Sequence, residues 1–183
     1  MKKISPSILK ILFKIVMSIF IILTVVFVIS YFIGYRINIT PSLPRGIYKI
    51  DKSIKLAKDN LVLFCLSEKD AKYAKMKEYL TFGVSCPSFS IPLLKYVVAD
   101  AGDSISICDN IIVNGKVIKN TQVKKNDSLG RQIKRKQYNN KILQDDELIL
   151  SAGYHSSSYD SRYFGVIKRD QIIGSVKPII LFE

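Results

Sequence analysis

The sequence predicts a mainly β domain of antiparallel strands behind a single N-terminal transmembrane helix. Three observations carry that expectation. The uncharged apolar run from Ile15 to Ile33 is long enough, at about 1.5 Å per residue, to cross a hydrocarbon core of about 30 Å. Beyond it, apolar residues fall in short runs and alternations rather than at helical spacing. One later segment, Ser67 to Tyr79, has the composition of a helix.

The anchor comes first. Lys2, Lys3, Lys10 and Lys14 precede the run, and positive charge stays on the cytoplasmic side, so the rest of the chain is expected outside. A cleaved signal peptide would have an apolar region of about 7–15 residues ending in small side chains. This run is longer, and Tyr31-Phe32-Ile33-Gly34-Tyr35 offers no such ending. Residues 1–36 therefore read as a cytoplasmic tip and retained anchor. Residues 37–183 are enough for one domain with its own core.

After the anchor, Gly46 to Ile50 and Asn60 to Leu66 read as short strands. Ser67 with Asp70 looks like a capping box opening the helix of Ser67 to Tyr79, and Phe82-Gly83-Val84-Ser85-Cys86-Pro87 breaks it. Leu93 to Ala99 is apolar except for Lys95 and reads as a buried strand. Gly102-Asp103 makes a turn, and Ser104 to Cys108 alternates as a strand. Ile111 to Ile118 is a hairpin, with Asn114-Gly115 suited to a type I′ turn. Lys119 to Lys141 is polar, basic and without apolar period, which predicts a mobile excursion of the same domain. Glu147 to Leu150 and Ile172 to Leu181 return to strand patterns.

The formal net charge is +13. In a soluble chain such a surplus would raise nucleic acid as a partner. Behind an anchor, anionic headgroups account for it, each nearby cation contributing roughly 1 kcal/mol. The lipid bilayer is the expected partner and nucleic acid is not. The three cysteines are Cys65, Cys86 and Cys108. Outside the cytoplasm pairing is expected, and Cys65 with Cys86, flanking a charged segment that can close a loop, is the expected pair. The cysteine and histidine content shows no zinc spacing, so no metal and no cofactor are expected.

Three segments contain groups able to do chemistry. In Thr40-Pro41-Ser42-Leu43-Pro44, prolines restrict the backbone around Ser42. Its hydroxyl is either an aimed nucleophile or the satisfied side chain of a turn. In Pro92-Leu93-Leu94-Lys95-Tyr96-Val97, burial would push the lysine pKa down and make the amine a competent base. A lysine that snorkels to water from an edge strand fits the same pattern. The third segment runs from Ser156 to Gly165 and packs hydroxyls, Asp160, Arg162 and aromatics together. It is either a polar loop with a structural Asp–Arg pair or a device that orients the lysine. His155 adjoins it, and an exposed turn histidine is the expected reading over a Ser-His-Asp triad.

Taken in order, these segments resemble the type I signal peptidases, membrane-anchored Ser/Lys-dyad serine proteases, and most of all their conjugative-transfer, TraF-like branch that processes pilins. The residues carrying the resemblance are Thr40 to Tyr48, Pro92 to Asp103, the Val113-Asn114-Gly115 hairpin and Ser158 to Gly165, with the Cys65/Cys86 pair. Leu43 stands where the general leader peptidases have methionine, and Ser151-Ala152-Gly153-Tyr154-His155 replaces their Gly-Asp-Asn run.

The resemblance implies a signal-peptidase-like antiparallel β fold and assigns roles. Ser42 is the nucleophile and Lys95 the general base. Thr40 and the Ser42 amide form the oxyanion hole, Ser158 orients the lysine, and Asp160 and Arg162 give structural support. It implies a bacterial inner-membrane protein with a periplasmic catalytic domain, cleaving a membrane-tethered pre-protein or pro-pilin and working beside conjugative secretion machinery. Pilin cyclisation is a further activity it implies. A general leader peptidase and a non-catalytic channel component are the alternatives.

Overall fold

The computed structural model describes residues 6–153 and 155–182. The chain divides after Arg36 into two compact units. The first is built around α1 (Pro6–Phe32), whose most apolar stretch has a mean hydropathy of 2.9. It is long and apolar enough to cross a membrane. It begins nine residues before the expected start at Ile15, because Lys10 and Lys14 are good helix formers and extend the helix rather than end it. Lys2 and Lys3, expected on the cytoplasmic side, lie outside the described residues.

The second unit is mainly β. Its strands are β1 (Tyr35–Asn38, straddling the boundary), β2 (Gly46–Ile50), β3 (Leu61–Phe64), β4 (Leu93–Ala99), β5 (Ser104–Ile107), β6 (Ile111–Val113), β7 (Lys116–Val117), β8 (Tyr138–Ile142), β9 (Glu147–Ser151), β10 (Ile167–Lys168) and β11 (Ile172–Leu181). They form a seven-stranded sheet, β1-β2-β11-β3-β4-β9-β10, and a four-stranded sheet, β7-β6-β5-β8. The strand pairings β2–β11, β11–β3, β3–β4, β4–β9 and β9–β10 are antiparallel. Gly46 lets β2 approach β11 closely, since a Cβ there would collide with the Ile180 carbonyl.

Apolar residues divide into three clusters. The largest includes Val62, Phe64, Val97, Leu148, Leu150 and Phe164. Ile105, Ile107, Ile111 and Val113 form the core beneath the smaller sheet. Leu43, Tyr48, Leu61, Leu63 and Val176 form the third. This last cluster positions the site, because it buries the residue next to Ser42.

The helix expected over Ser67 to Tyr79 is α2 (Glu68–Met76), and Ser67 caps it by accepting the Asp70 N–H at 3.2 Å. Asp70 does not complete a capping box. Its carboxylate accepts the Ser67 hydroxyl at 2.7 Å instead, since an aspartate is shorter than the Glu or Gln that reaches back. The Asn114-Gly115 turn has positive φ at both positions, 49° and 77°, as a type I′ turn requires.

The stretch from Lys119 to Lys141, expected as a mobile loop or excursion, has no named strand or helix before β8. It ends inside β8, and long-range bonds tie the rest to the domain. Tyr79 donates to Asp127 at 2.7 Å, Arg131 bonds Asp127 and the Lys77 carbonyl, and the Lys134 N–H reaches the Tyr73 hydroxyl at 2.9 Å. None of these partners is near in sequence except Asp127 and Arg131, so local composition does not reveal them.

Candidate active site

Ser42 and Lys95 are brought together from positions 53 residues apart, with Lys95 Nζ 3.2 Å from Ser42 Oγ. Each is placed by different means. Ser42 lies in the loop between β1 and β2, itself half-buried. Its neighbour Leu43 is only 1% exposed and packs in the cluster with Tyr48 and Leu61. The Tyr48 hydroxyl donates to the Pro44 carbonyl at 2.6 Å. Apolar burial on one side and a hydrogen bond on the other hold the loop while the serine stays accessible.

Lys95 is the third residue of β4, on the strand face that also carries Val97. Its ladder partner is Val62 of β3. It is 3% exposed, so the side chain does not snorkel to water. Burial in apolar surroundings pushes its pKa down from 10.5 to about 8. The negative charge of Asp160 pulls it partly back, and the Arg162 guanidinium pushes it down again. An amine with that pKa is uncharged in about a tenth of molecules at pH 7, against well under a thousandth for an ordinary lysine. The uncharged form is able to accept the serine proton across the same contact.

Asp160 and Arg162 are both fully buried. Asp160 caps the short α3 (Ser161–Phe164) through the Arg162 N–H. The guanidinium uses all five of its N–H donors. Two go to the Asp160 carboxylate at 2.7 and 2.9 Å, and three go to the carbonyls of Gln122, Ser156 and Ser158 at 2.7 to 2.9 Å. The Ser151 hydroxyl, from β9, adds a bond to Asp160 at 3.1 Å. This hub fixes the loop carrying Ser158 and sets the field at Lys95.

The remaining sequence candidates are placed as follows. The Ser158 side chain is buried, and its hydroxyl has no hydrogen-bond partner among the described residues; the structure draws no bond from it to the Lys95 amine. The Thr40 hydroxyl is 3.2 Å from Ser42 Oγ and donates to Asn38 Oδ1 at 2.7 Å. His155 lies in an exposed turn, where its Nδ1 accepts the Ser157 N–H at 3.2 Å. Cys65 and Cys86 are joined by a disulfide, and Cys108 is an exposed free thiol.

Sequence reasoning missed Asn38, Tyr48 and Ser151. Asn38 had a readable signal: an Asn two residues before a Thr commonly bonds backbone two positions on, as an Asx turn. Tyr48 and Ser151 had none, because their partners are set by tertiary packing.

The signal peptidase, peptidase S26, family profile matches residues 7–181 of the chain. Conjugal transfer protein TraF of Agrobacterium fabrum (strain C58 / ATCC 33970) is 32% identical over 152 residues, spanning 82% of this chain and 84% of that protein. Probable conjugal transfer protein TraF of Sinorhizobium fredii (strain NBRC 101917 / NGR234) is 34% identical over 154 residues, spanning 83% and 80%. Plasmid transfer protein TraF of Escherichia coli is 32% identical over 152 residues, spanning 82% and 85%.

Proposed function

The chain belongs to the signal peptidase, peptidase S26, family, and from that premise we propose that it is a membrane-anchored Ser/Lys serine endopeptidase. The substrate in this reading is a membrane-tethered pre-protein of a conjugative secretion system, above all a pro-pilin. The conjugal and plasmid transfer names of its relatives support that context. The anchor crosses the bacterial inner membrane with its N-terminus in the cytoplasm. The catalytic domain then lies in the periplasm, where the Cys65–Cys86 disulfide suits an oxidising compartment.

One observation carries the catalytic reading: a buried lysine amine stands 3.2 Å from a half-buried serine hydroxyl. Uncharged Lys95 takes the proton of Ser42 as the oxygen attacks the carbonyl of the scissile bond. The Ser42 N–H and the Thr40 hydroxyl hold the oxyanion. Protonated Lys95 then gives its proton to the leaving amine. Ser158 turns its unpartnered hydroxyl to the amine and orients it. Water releases the acyl-enzyme; attack by the substrate's own amine would instead join its ends. The ladder between β4 and β9 begins at the Tyr96–Ser151 pair. Among the described strands this leaves Leu93 to Lys95 without a partner on that side, and an extended substrate adds there.

The test is mass spectrometry of a co-expressed candidate pilin with the active chain and with Ser42→Ala. The expected result is a cleaved or end-joined product with the active chain and intact substrate with Ser42→Ala. Full processing by Ser42→Ala would favour a non-catalytic role in the secretion channel. Processing of general secretory precursors but not of the pilin would favour a general leader peptidase.

A further inference from the structure

The side chain of Asn38 bonds to three residues of the nucleophile loop, Thr40, Leu43 and Pro44. Its Oδ1 accepts both the Thr40 N–H at 3.2 Å and the Thr40 hydroxyl at 2.7 Å. Its Nδ2 lies 3.2, 3.2 and 3.0 Å from the carbonyls of Thr40, Leu43 and Pro44. The orientation of the amide is unambiguous. Carbonyl oxygens only accept, so the atom facing three of them is the nitrogen, and the atom facing an N–H is the oxygen.

That orientation fixes the direction of the neighbouring protons. An amide oxygen cannot donate, so the Thr40 hydroxyl proton points at Asn38. The 3.2 Å contact between Thr40 Oγ1 and Ser42 Oγ then takes its proton from Ser42. Lys95 Nζ donates to Ser42 Oγ from the other side. The result is an ordered chain running Lys95, Ser42, Thr40, Asn38. At rest, the serine proton points away from the base and the threonine proton away from the oxyanion position.

We infer that Asn38 is a positioning residue for the nucleophile, holding the Ser42 loop through its Nδ2 and setting the Thr40 and Ser42 hydroxyl protons through its Oδ1. The inference rests on the Ser/Lys reading above. For reaction, the Ser42 proton turns to Lys95, and the Thr40 proton leaves Asn38 for the developing oxyanion. Asn38 thereby keeps Thr40 in the rotamer from which a rotation of one hydroxyl bond is enough. A loop without it would have to find both the rotamer and its carbonyl positions anew in each turnover.

The test uses the full chain in detergent micelles and an internally quenched peptide with alanine on the acyl side of the scissile bond. Asn38→Ala is expected to lower kcat about tenfold or more with KM within about twofold, because the lost contacts act on the reacting oxygens rather than on substrate. Asn38→Asp places a carboxylate at the end of the same chain. It should move the pH midpoint of kcat/KM upward by about half a unit, as a negative charge favours the ammonium form of Lys95. A purely structural role would leave that midpoint in place. Wild-type kcat in Asn38→Ala, or an activity loss in both variants that follows a lowered Tm with the midpoint unmoved, would overturn the inference. Ser42→Ala run in parallel separates the two ideas: activity there defeats the Ser/Lys reading itself, whereas an inactive Ser42→Ala beside unaffected Asn38 variants defeats only the role of Asn38.

Discussion

Ser42 and Lys95 meet across 3.2 Å, yet the two regions that deliver them are built from different material. The serine loop is short-range. One asparagine side chain, one tyrosine hydroxyl and the buried Leu43, all within six residues of Ser42, hold it. The lysine region is long-range. Strand β3 pairs with Lys95 through Val62, and Asp160 and Arg162, more than sixty residues further on, tune its charge. In the proposed mechanism the difference follows from what each group must do. A nucleophile has to meet substrate, so its support must come from beneath and beside it. A base of lowered pKa has to be kept from water, which needs a sheet and a core.

The most damaging change to the lysine side should therefore be chemical rather than structural. Lys95→Ala is expected to lower kcat/KM by about 10²–10⁴-fold, the usual contribution of a positioned base, with the fold retained by circular dichroism. A loss of less than about tenfold would mean that the serine loop works without its buried neighbour.

Much of the serine side was legible before the structure, and less of the lysine side. The prolines around Ser42 announce a rigid turn, and their local nature lets sequence carry the inference. The strand from Leu93 to Ala99 was readable as apolar, but whether Lys95 turned inward was not, because alternation leaves both faces possible until neighbouring strands are in place. The segment from Lys119 to Lys141 shows the same limit more sharply. Its composition says loop, while its order depends on Tyr73, Tyr79 and Arg162. Ser158 is named by the family resemblance and not by its own surroundings, and its hydroxyl has no partner among the described residues, a detail set by side-chain rotation that sequence does not encode.

Breaking the hub behind Lys95 should cost stability first. Arg162→Met leaves the buried Asp160 carboxylate without its cation and is expected to destabilise the domain by about 3–5 kcal/mol. Urea unfolding of the chain in detergent measures it. An unchanged midpoint would show that the pair is not needed for the fold.

Opening the disulfide tests a third support, the cross-link between the end of β3 and the segment that leads into β4. Cys65→Ser with Cys86→Ser removes a cross-link spanning 21 residues, expected to lower stability by about 3 kcal/mol through the freed unfolded chain. Stability equal to the parent would place the bond outside the cooperative unit.

The smallest effect has the opposite sign. Lys95 carries a depressed pKa of about 8 in the folded chain against 10.5 when unfolded. Below about pH 8 it is protonated in both states and the folded protein bears the full penalty of a buried ammonium. Between pH 8 and 10.5 the unfolded state binds more protons, so stability rises with pH and the penalty fades. Lys95→Met should therefore stabilise at pH 7, by at most about 3 kcal/mol, and the gain should vanish above pH 10.5. No difference in Tm between the two proteins at pH 7 would mean that the folded site does not disfavour the charge.

The measurement closest to the central claim is kcat/KM of the full chain against pH, on the quenched peptide, from pH 6 to 10. A rate that climbs as the lysine loses its proton, with its midpoint near pH 8 and a plateau reached by about pH 9 to 10, is the predicted result. A rate still climbing at pH 10, toward the ordinary lysine value, would contradict a buried, uncharged Lys95 as the base for Ser42.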